Sequence, residues 1–333
     1  MSSRSTVSNQ QPPNPIVRLA HLPARGITRR VWRLLPVLLF PVACNSDVGP
    51  PPIAQADYEA AFAKHKTTRT NWLSAAGKAN SYTGLRWIPQ GTSTIGGDTT
   101  NTVVLNGRDV PARVGTLTRV GETITFVPTP GVPIMLDSAP AATQQLVVEG
   151  GAKPASRVTV GSAGFRIIKR IDSIGVRTWD VDIPANAGLE PLEYFPLDQA
   201  WRFGGKFIKL AKPDTQALET VSGVAEDYVN VGMVQTTIGG KAYELTAYAG
   251  SNPVDLFFTF NDATSGEETY GFRFVHAPLD TVKNTVVMDF NFAYNPECAF
   301  SAFTTCPLPS ANNRISTRIT AGELTPKHKD GKK

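Results

Sequence analysis

Residues 269–306 read TYGFRFVHAPLDTVKNTVVMDFNFAYNPECAFSAFTTC, and PLPSANNR follows at once. Successive side chains of a strand point to opposite faces. In TYGFRFV, Tyr270, Phe272 and Phe274 therefore share one face, and Thr269, Gly271 and Arg273 the other. In VVMDFNFAY, Met288, Phe290, Phe292 and Tyr294 oppose Asp289 and Asn291. The pattern predicts two strands joined as a hairpin across 276–284, with the aromatic faces building the core. On that pairing Arg273 lies within about one diagonal of Asp289. Thr269, Arg273, Asp289 and Asn291 then form a polar strip, closed at one end by Asp262 and Thr264 of NDATSGEE. An irregular loop rich in Asn and Pro, bracketed by Cys298 and Cys306, completes the segment.

Outward from this segment the β pattern continues. Residues 186–324 hold further long runs, among them WRFGGKFIKL, DYVNVGMVQTTI, AYELTAYAG, DLFFTF and RISTRITAG, and Gly239-Gly240 reads as a tight hairpin turn. Residues 81–185 hold shorter runs such as NTVVL, ETITFV and GVRTWDVDI, separated by Gly, Pro, Asn and Asp. This block looks somewhat like a forkhead-associated sandwich in shape. It lacks the phosphopeptide motif, since Gly97 stands where a ligand Arg would be expected. Ahead of it, 57–80 predicts one amphipathic helix with Tyr58, Phe62, His65, Trp72 and Ala76 on its apolar face, Asp57 as cap and Gly77 near its end. The expected fold is mainly β: an antiparallel sandwich or barrel body, as two joined β domains meeting near Trp179 and Trp201, with one N-terminal helix.

Residues 1–44 carry six arginines and no Asp or Glu, then the apolar run LLPVLLFPVA ending at Cys44. Basic region, short apolar core and small residue before the break predict an export signal, too short in its core to span a bilayer. PVAC resembles a lipobox whose Cys44 is cut free and acylated, and Arg29-Arg30 resembles a twin-arginine element. Residues 45–56 then form a Pro-rich tether. These features predict a bacterial envelope protein, lipid-anchored on the extracytoplasmic side of a membrane.

The formal charge of +5 belongs to the ends. Without the six N-terminal arginines it is −1, and without the basic tail KHKDGKK (+3) the body is −4. No basic stripe points to nucleic acid. The tail, 325–333, reads as disordered. With Cys44 acylated, Cys298 and Cys306 remain as a pair. In an oxidising compartment they predict a disulfide worth ~2.5 kcal/mol. A reactive or metal-binding thiol pair is the alternative, although seven intervening residues match no recognised zinc spacing.

Two functions are open for the polar strip. It ties irregular backbone to the sheet through buried hydrogen bonds, or it lines a cleft in which Asp262 or Asp289 acts as a base and Arg273 holds an anion. The candidate cleft comprises Asp262, Thr264, Thr269, Tyr270, Arg273, Asp289, Asn291, Tyr294, Asn295, Arg314 and Glu323. No Gly-x-Ser-x-Gly or His-Glu-x-x-His occurs, and His65 and His276 are the only histidines outside the two ends. His65 reads as a packed core residue. No metal or cofactor is expected. The predicted role is binding of a small ligand or protein partner through the cleft, with a carboxylate- and Arg-based hydrolase as the alternative.

DATSGEETYGFRF, MDFNFAYNPECAF, TTCPLP, NNR and AGE (321–323) resemble the bacterial domain of unknown function 1684 family. GLRWIPQG, FRIIKRIDSIGVRTWD and EYFPLDQAWR look like further family segments. Glu297 departs from it, standing where a second Pro is usual, and Gly271-Phe272-Arg273 is one residue tighter than the family's glycine–arginine step. The resemblance implies a mainly β fold and brings no activity.

Overall fold

The computed structural model describes residues 49–150, 153–183 and 188–329. The signal segment with Cys44 lies outside the described residues. Helix α1 is Gln55–Ser74. It starts two residues before the expected Asp57, which sits in the first turn and caps nothing, and ends at Ser74 because Ala75 turns extended. Its inward residues are Tyr58, Phe62, Arg69 and Leu73, at the three-to-four spacing of one face. His65 and Trp72 are only partly covered, and Ala76 lies outside the helix and is exposed.

The first body is a sandwich. Its strands are β1 (Tyr82–Trp87), β2 (Gly91–Gly96), β3 (Val103–Val104), β4 (Gly115–Val120), β5 (Thr123–Pro128), β6 (Met135–Leu136), β7 (Ala139–Pro140), β8 (Gln144–Gln145), β9 (Val158–Val160), β10 (Ala163–Arg170) and β11 (Ser173–Asp180). One sheet runs β1-β11-β10-β9-β6-β7 and the other β3-β2-β4-β5-β8. Apolar side chains from both inner faces make the core, where Phe126 meets Phe165 edge-to-face at 5.6 Å. Trp179 is fully buried and packs with Ala79, Tyr82 and Phe303, whereas Trp201 packs against the barrel core.

The second body is a closed barrel of β12 (Arg202–Leu218), β13 (Glu226–Ile238), β14 (Lys241–Ala249), β15 (Asp255–Phe260), β16 (Arg273–Asp280) and β17 (Thr285–Asp289), in sequence order. Every neighbour is antiparallel, and β17 closes onto β12. Closure leaves the barrel without a free edge. Gly239 and Gly240, both at positive φ, make the two-residue turn between β13 and β14.

The hairpin of β16 and β17 forms, and Met288 of β17 enters the barrel core as expected, but the faces of β16 are the reverse of the expected ones. Val275 and Ala277 belong to the barrel core, so Arg273, two residues before Val275, also points inward and is fully buried. Phe272 and Phe274 point outward, into a satellite cluster covered by the Cys-bracketed loop. The alternation also stops early. Asp289 accepts from the Asn291 backbone N–H and winds 290–292 into a 3-10 turn, so Phe290 and Asn291 are both buried. RISTRITAG is not a strand; it runs along the barrel with single bridges such as Asn261 to Arg314. Residues 328 and 329 of the tail, expected to be disordered, are held instead: Leu189 bridges His328, and the Lys329 N–H donates to the Gly188 carbonyl at 2.8 Å.

Candidate functional site

The expected polar strip divides into three separate networks. Arg273 and Asp289 are not partners. Arg273 sits across from Phe260 on β15, and its guanidinium lies over that ring at 5.3 Å. Its Nη2 reaches Asp262 Oδ1 at 3.1 Å and the Ile319 carbonyl at 3.3 Å, and Nη1 donates to the Ala321 carbonyl. Asp262 also accepts from the Ile319 N–H at 2.7 Å and from the Thr264 hydroxyl, which in turn meets Thr269 at 2.9 Å. Burial lowers the guanidinium's pKa, Asp262 opposing it. The side chains of Arg273, Asp262, Thr264 and Thr269 are all buried, and of them only Thr269 borders a cavity, a second one that Tyr270 also lines.

Asp289 pairs instead with Arg202 across β12 and β17 at 3.3 Å, and the Tyr58 hydroxyl of α1 donates to both its oxygens at 2.9 Å. Asn291 Nδ2 donates to the same carboxylate and to the Asp198 carbonyl. Burial raises the Asp289 carboxyl above its ordinary value. Tyr270 donates to the Cys298 carbonyl at 3.3 Å, and Arg314 is exposed, apart from the others.

The third network binds α1 to the C-terminal segment and faces open space. Arg69 grips Glu323 with Nε–Oε1 at 2.7 Å and Nη2–Oε2 at 3.2 Å, a bidentate fork. Glu323 also accepts from the Asn295 N–H at 2.8 Å, and from the Tyr194 hydroxyl at 3.3 Å. The Arg69 guanidinium lies 4.7 Å from the Tyr294 ring centroid. Burial disfavours its charge, yet Glu323 holds its pKa above the ordinary value.

Arg69, Tyr294 and Asn295 line a cavity of about 510 Å³ bounded by α1, the first sandwich and the barrel. Its opposite wall was not anticipated. Arg166 and Arg177 are direct cross-strand partners on β10 and β11, and Arg170 follows on the same face of β10. Like charges opposite each other destabilise a sheet unless something compensates. Glu149 does so for all three, at 2.7 Å to Arg166, 3.4 Å to Arg170 and 3.7 Å to Arg177. Glu226 adds a contact to Arg170 at 3.1 Å, and burial raises its carboxyl above the ordinary value. Thr305 accepts from Arg170 at 2.8 Å, which ties the sandwich to the Cys-bracketed loop. The stretch FRIIKRIDSIGVRTWD carries Arg166 and Arg170 four residues apart, a spacing that puts both cations on one face of a strand.

Trp72, Tyr228 and Phe274 give the cavity apolar walls, and Glu297 adds a third carboxylate to its lining. Four arginines thus line it against three carboxylates, with Glu323 engaged behind Arg69. Asn295 is nearly fully buried; its Nδ2 donates to the Leu324 carbonyl, but Oδ1 has no partner. His65 Nε2 is likewise buried without a partner.

The expected Cys298–Cys306 bridge is not formed; both are free thiols. The Cys298 backbone N–H donates to Cys306 Sγ at 3.2 Å, so the pair is joined by hydrogen bonding in place of a covalent link. Donation from Cys298 also holds the Cys306 thiol below its ordinary pKa. Among the described residues no group of three or more His, Cys, Asp and Glu converges as metal ligands would.

A closed antiparallel barrel joined to a two-sheet sandwich defines a mainly β protein. Residues 187–324 match the model of the family described as protein of unknown function (DUF1684), and the chain belongs to that family. It is similar to the solution NMR structure of an uncharacterised protein of Haloarcula marismortui, with 32% identity, 41% of this chain and 77% of that chain covered, and a TM-score of 0.36. No curated protein matches it.

Proposed function

We propose that the protein is a lipid-anchored envelope protein that binds a small organic anion in the cavity between its two β bodies. The observation that carries this reading is the Arg166–Arg177 cross-strand pair with Arg170 beside it, three cations on one strip facing a cavity and sharing two carboxylates. Guanidinium forks match carboxylate, sulfonate and phosphate oxygens. A volume of about 510 Å³ falls in the range of small-ligand sites. The aromatic walls suit a ring or short acyl body behind the anionic group.

Calorimetric titration of the purified full chain tests the binding. Benzenesulfonate should bind, weaken as salt is raised, and lose at least tenfold in affinity in Arg166→Gln. Neutral benzyl alcohol should bind far more weakly. Equal binding of the two probes removes the anion from the reading.

The anchor is supported by the arginine-rich, apolar segment ending at Cys44 and by the Pro-rich stretch behind it. Cys44→Ala should release the protein from the membrane fraction on cell fractionation. Unchanged membrane association, with no lipid mass on the wild-type N-terminus, contradicts it.

A further inference from the structure

Behind the cavity wall stands a chain of three polar groups that the anion reading does not use. His276 lies on the outer face of β16, opposite Phe257 of β15. Its Nδ1 is 3.0 Å from both oxygens of Asp255, and its Nε2 is 3.0 Å from the Tyr294 hydroxyl. The imidazole and phenol rings are almost parallel, at 4°. Asp255 is itself held by the Ser251 N–H at 2.8 Å and the Ser251 hydroxyl at 2.9 Å. Tyr294 lines the cavity, while His276 keeps 39% of its side chain exposed to solvent. The chain therefore runs from solvent to the cavity wall.

An ionised Asp255 sets the direction of the hydrogen bonds. Burial opposes ionisation of Asp255, but the Ser251 and His276 donors hold its pKa below the ordinary value, so it is a carboxylate and can only accept. Neutral His276 then carries its proton on Nδ1, and Nε2 accepts from the Tyr294 hydroxyl. A protonated His276 donates from both nitrogens. The Tyr294 oxygen must then accept from Nε2–H, and its own proton needs another acceptor. His276 is the hydroxyl's only hydrogen-bond partner among the described residues, so the open side of the cavity is where that acceptor can stand.

We propose that the Asp255–His276–Tyr294 chain couples occupancy of the cavity to protonation: protonated His276 turns the Tyr294 hydroxyl toward an oxygen of the bound anion. The inference rests on reading the cavity as an anion site, and it names the proton as that site's regulator. Tyr294 touches the ligand; His276 and Asp255 are positioning residues. Asp255 faces the imidazole from β15, and Tyr294 faces it from the segment after β17. Arg69 and Cys306, which line the cavity, and Glu323 behind Arg69 also interact electrostatically with Tyr294. His65 is the imidazole that lines the cavity itself, and burial in its aromatic cluster lowers its pKa. By linkage, a ligand that prefers the protonated form takes up a proton on binding, and its affinity rises as pH falls.

Two measurements on the full chain test this. In the first, side-chain NMR without ligand follows His276 and the Tyr294 ring carbon bearing oxygen. Neutral His276 should show the Nδ1–H tautomer, and the Tyr294 signal should move with the His276 titration. A Tyr294 signal that ignores that titration overturns the relay, whether or not any probe binds. In the second, benzenesulfonate, which stays ionised throughout, is titrated calorimetrically in buffers of differing ionisation enthalpy. Uptake should approach about one proton per sulfonate on the alkaline side of the His276 titration, with affinity rising up to about tenfold per pH unit. His276→Gln and Tyr294→Phe should both abolish the uptake. Uptake that survives these changes, or disappears instead in His65→Phe, overturns the proposal. No sulfonate binding at any pH refutes the anion site and with it the coupling, while a Tyr294 response in the first measurement would still establish the hydrogen-bond reversal.

Discussion

Arg69 of the N-terminal helix and Glu323 near the C-terminal end form a bidentate ion pair across 254 residues of sequence, and the Glu323 side chain is fully buried. One bond system thus holds α1 against the barrel and sets one wall of the cavity. Removing Arg69 leaves Glu323 charged and desolvated. Arg69→Ala should cost roughly 3–5 kcal/mol in urea unfolding. Arg69→Met combined with Glu323→Leu should recover much of that loss, because the orphaned charge goes with its partner. Additive single losses in the double variant would show that the two side chains are not coupled.

Arg273 and Asp262 make a second buried pair, inside the barrel and away from the cavity. Arg273→Ala should also destabilise by roughly 3–5 kcal/mol. Asp262→Asn keeps the shape and should cost less, and where it folds it should bind benzenesulfonate as wild type does. A variant with normal stability and lost binding would return Arg273 and Asp262 to the ligand site.

How much of this was legible in the sequence depends on what each residue's neighbours are. The strands, the Gly239-Gly240 turn and the hairpin of β16 and β17 follow from local pattern. The direction in which Arg273 points does not, because both faces of β16 are covered and alternation alone cannot say which one is the barrel interior. Aromatic residues were assigned inward on hydrophobicity, yet Phe272 and Phe274 are buried outside the barrel by the loop they carry. Of the candidate cleft, Tyr294 and Asn295 line the cavity, and Glu323 supports Arg69 from behind. Arg166, Arg170 and Arg177 were missed because their partner Glu149 and the barrel wall are distant in sequence. Arg69 was missed because a charged residue among Lys and Thr reads as solvent-facing until its buried partner is known.

His65 gives the stability a pH dependence of known sign. Burial among Phe62, Tyr194 and Phe292 holds its pKa below the unfolded value of 6.5. The folded chain therefore takes up this proton later than the unfolded one as pH falls. Its contribution is present above the unfolded pKa and is lost as pH drops through the folded pKa. Asp289 and Glu226, both raised by burial, act oppositely: their contribution is present below their unfolded values and is lost as pH rises through the folded ones. Denaturant midpoints taken from about pH 7 down to about pH 5 should fall more steeply in wild type than in His65→Phe. Parallel curves would show that His65 is solvated.

The central claim is that the arginine strip and the aromatic walls hold one organic anion. A crystal of the protein grown with 4-bromobenzenesulfonate tests it most directly, since anomalous scattering from bromine fixes the ligand's place and orientation. The sulfonate should lie on Arg166, Arg170 and Arg177, with the bromophenyl ring among Trp72, Tyr228 and Phe274. A bromine peak in the hollow beside Glu267, Tyr270 and Pro326, or no ordered peak at saturating ligand, would contradict the account.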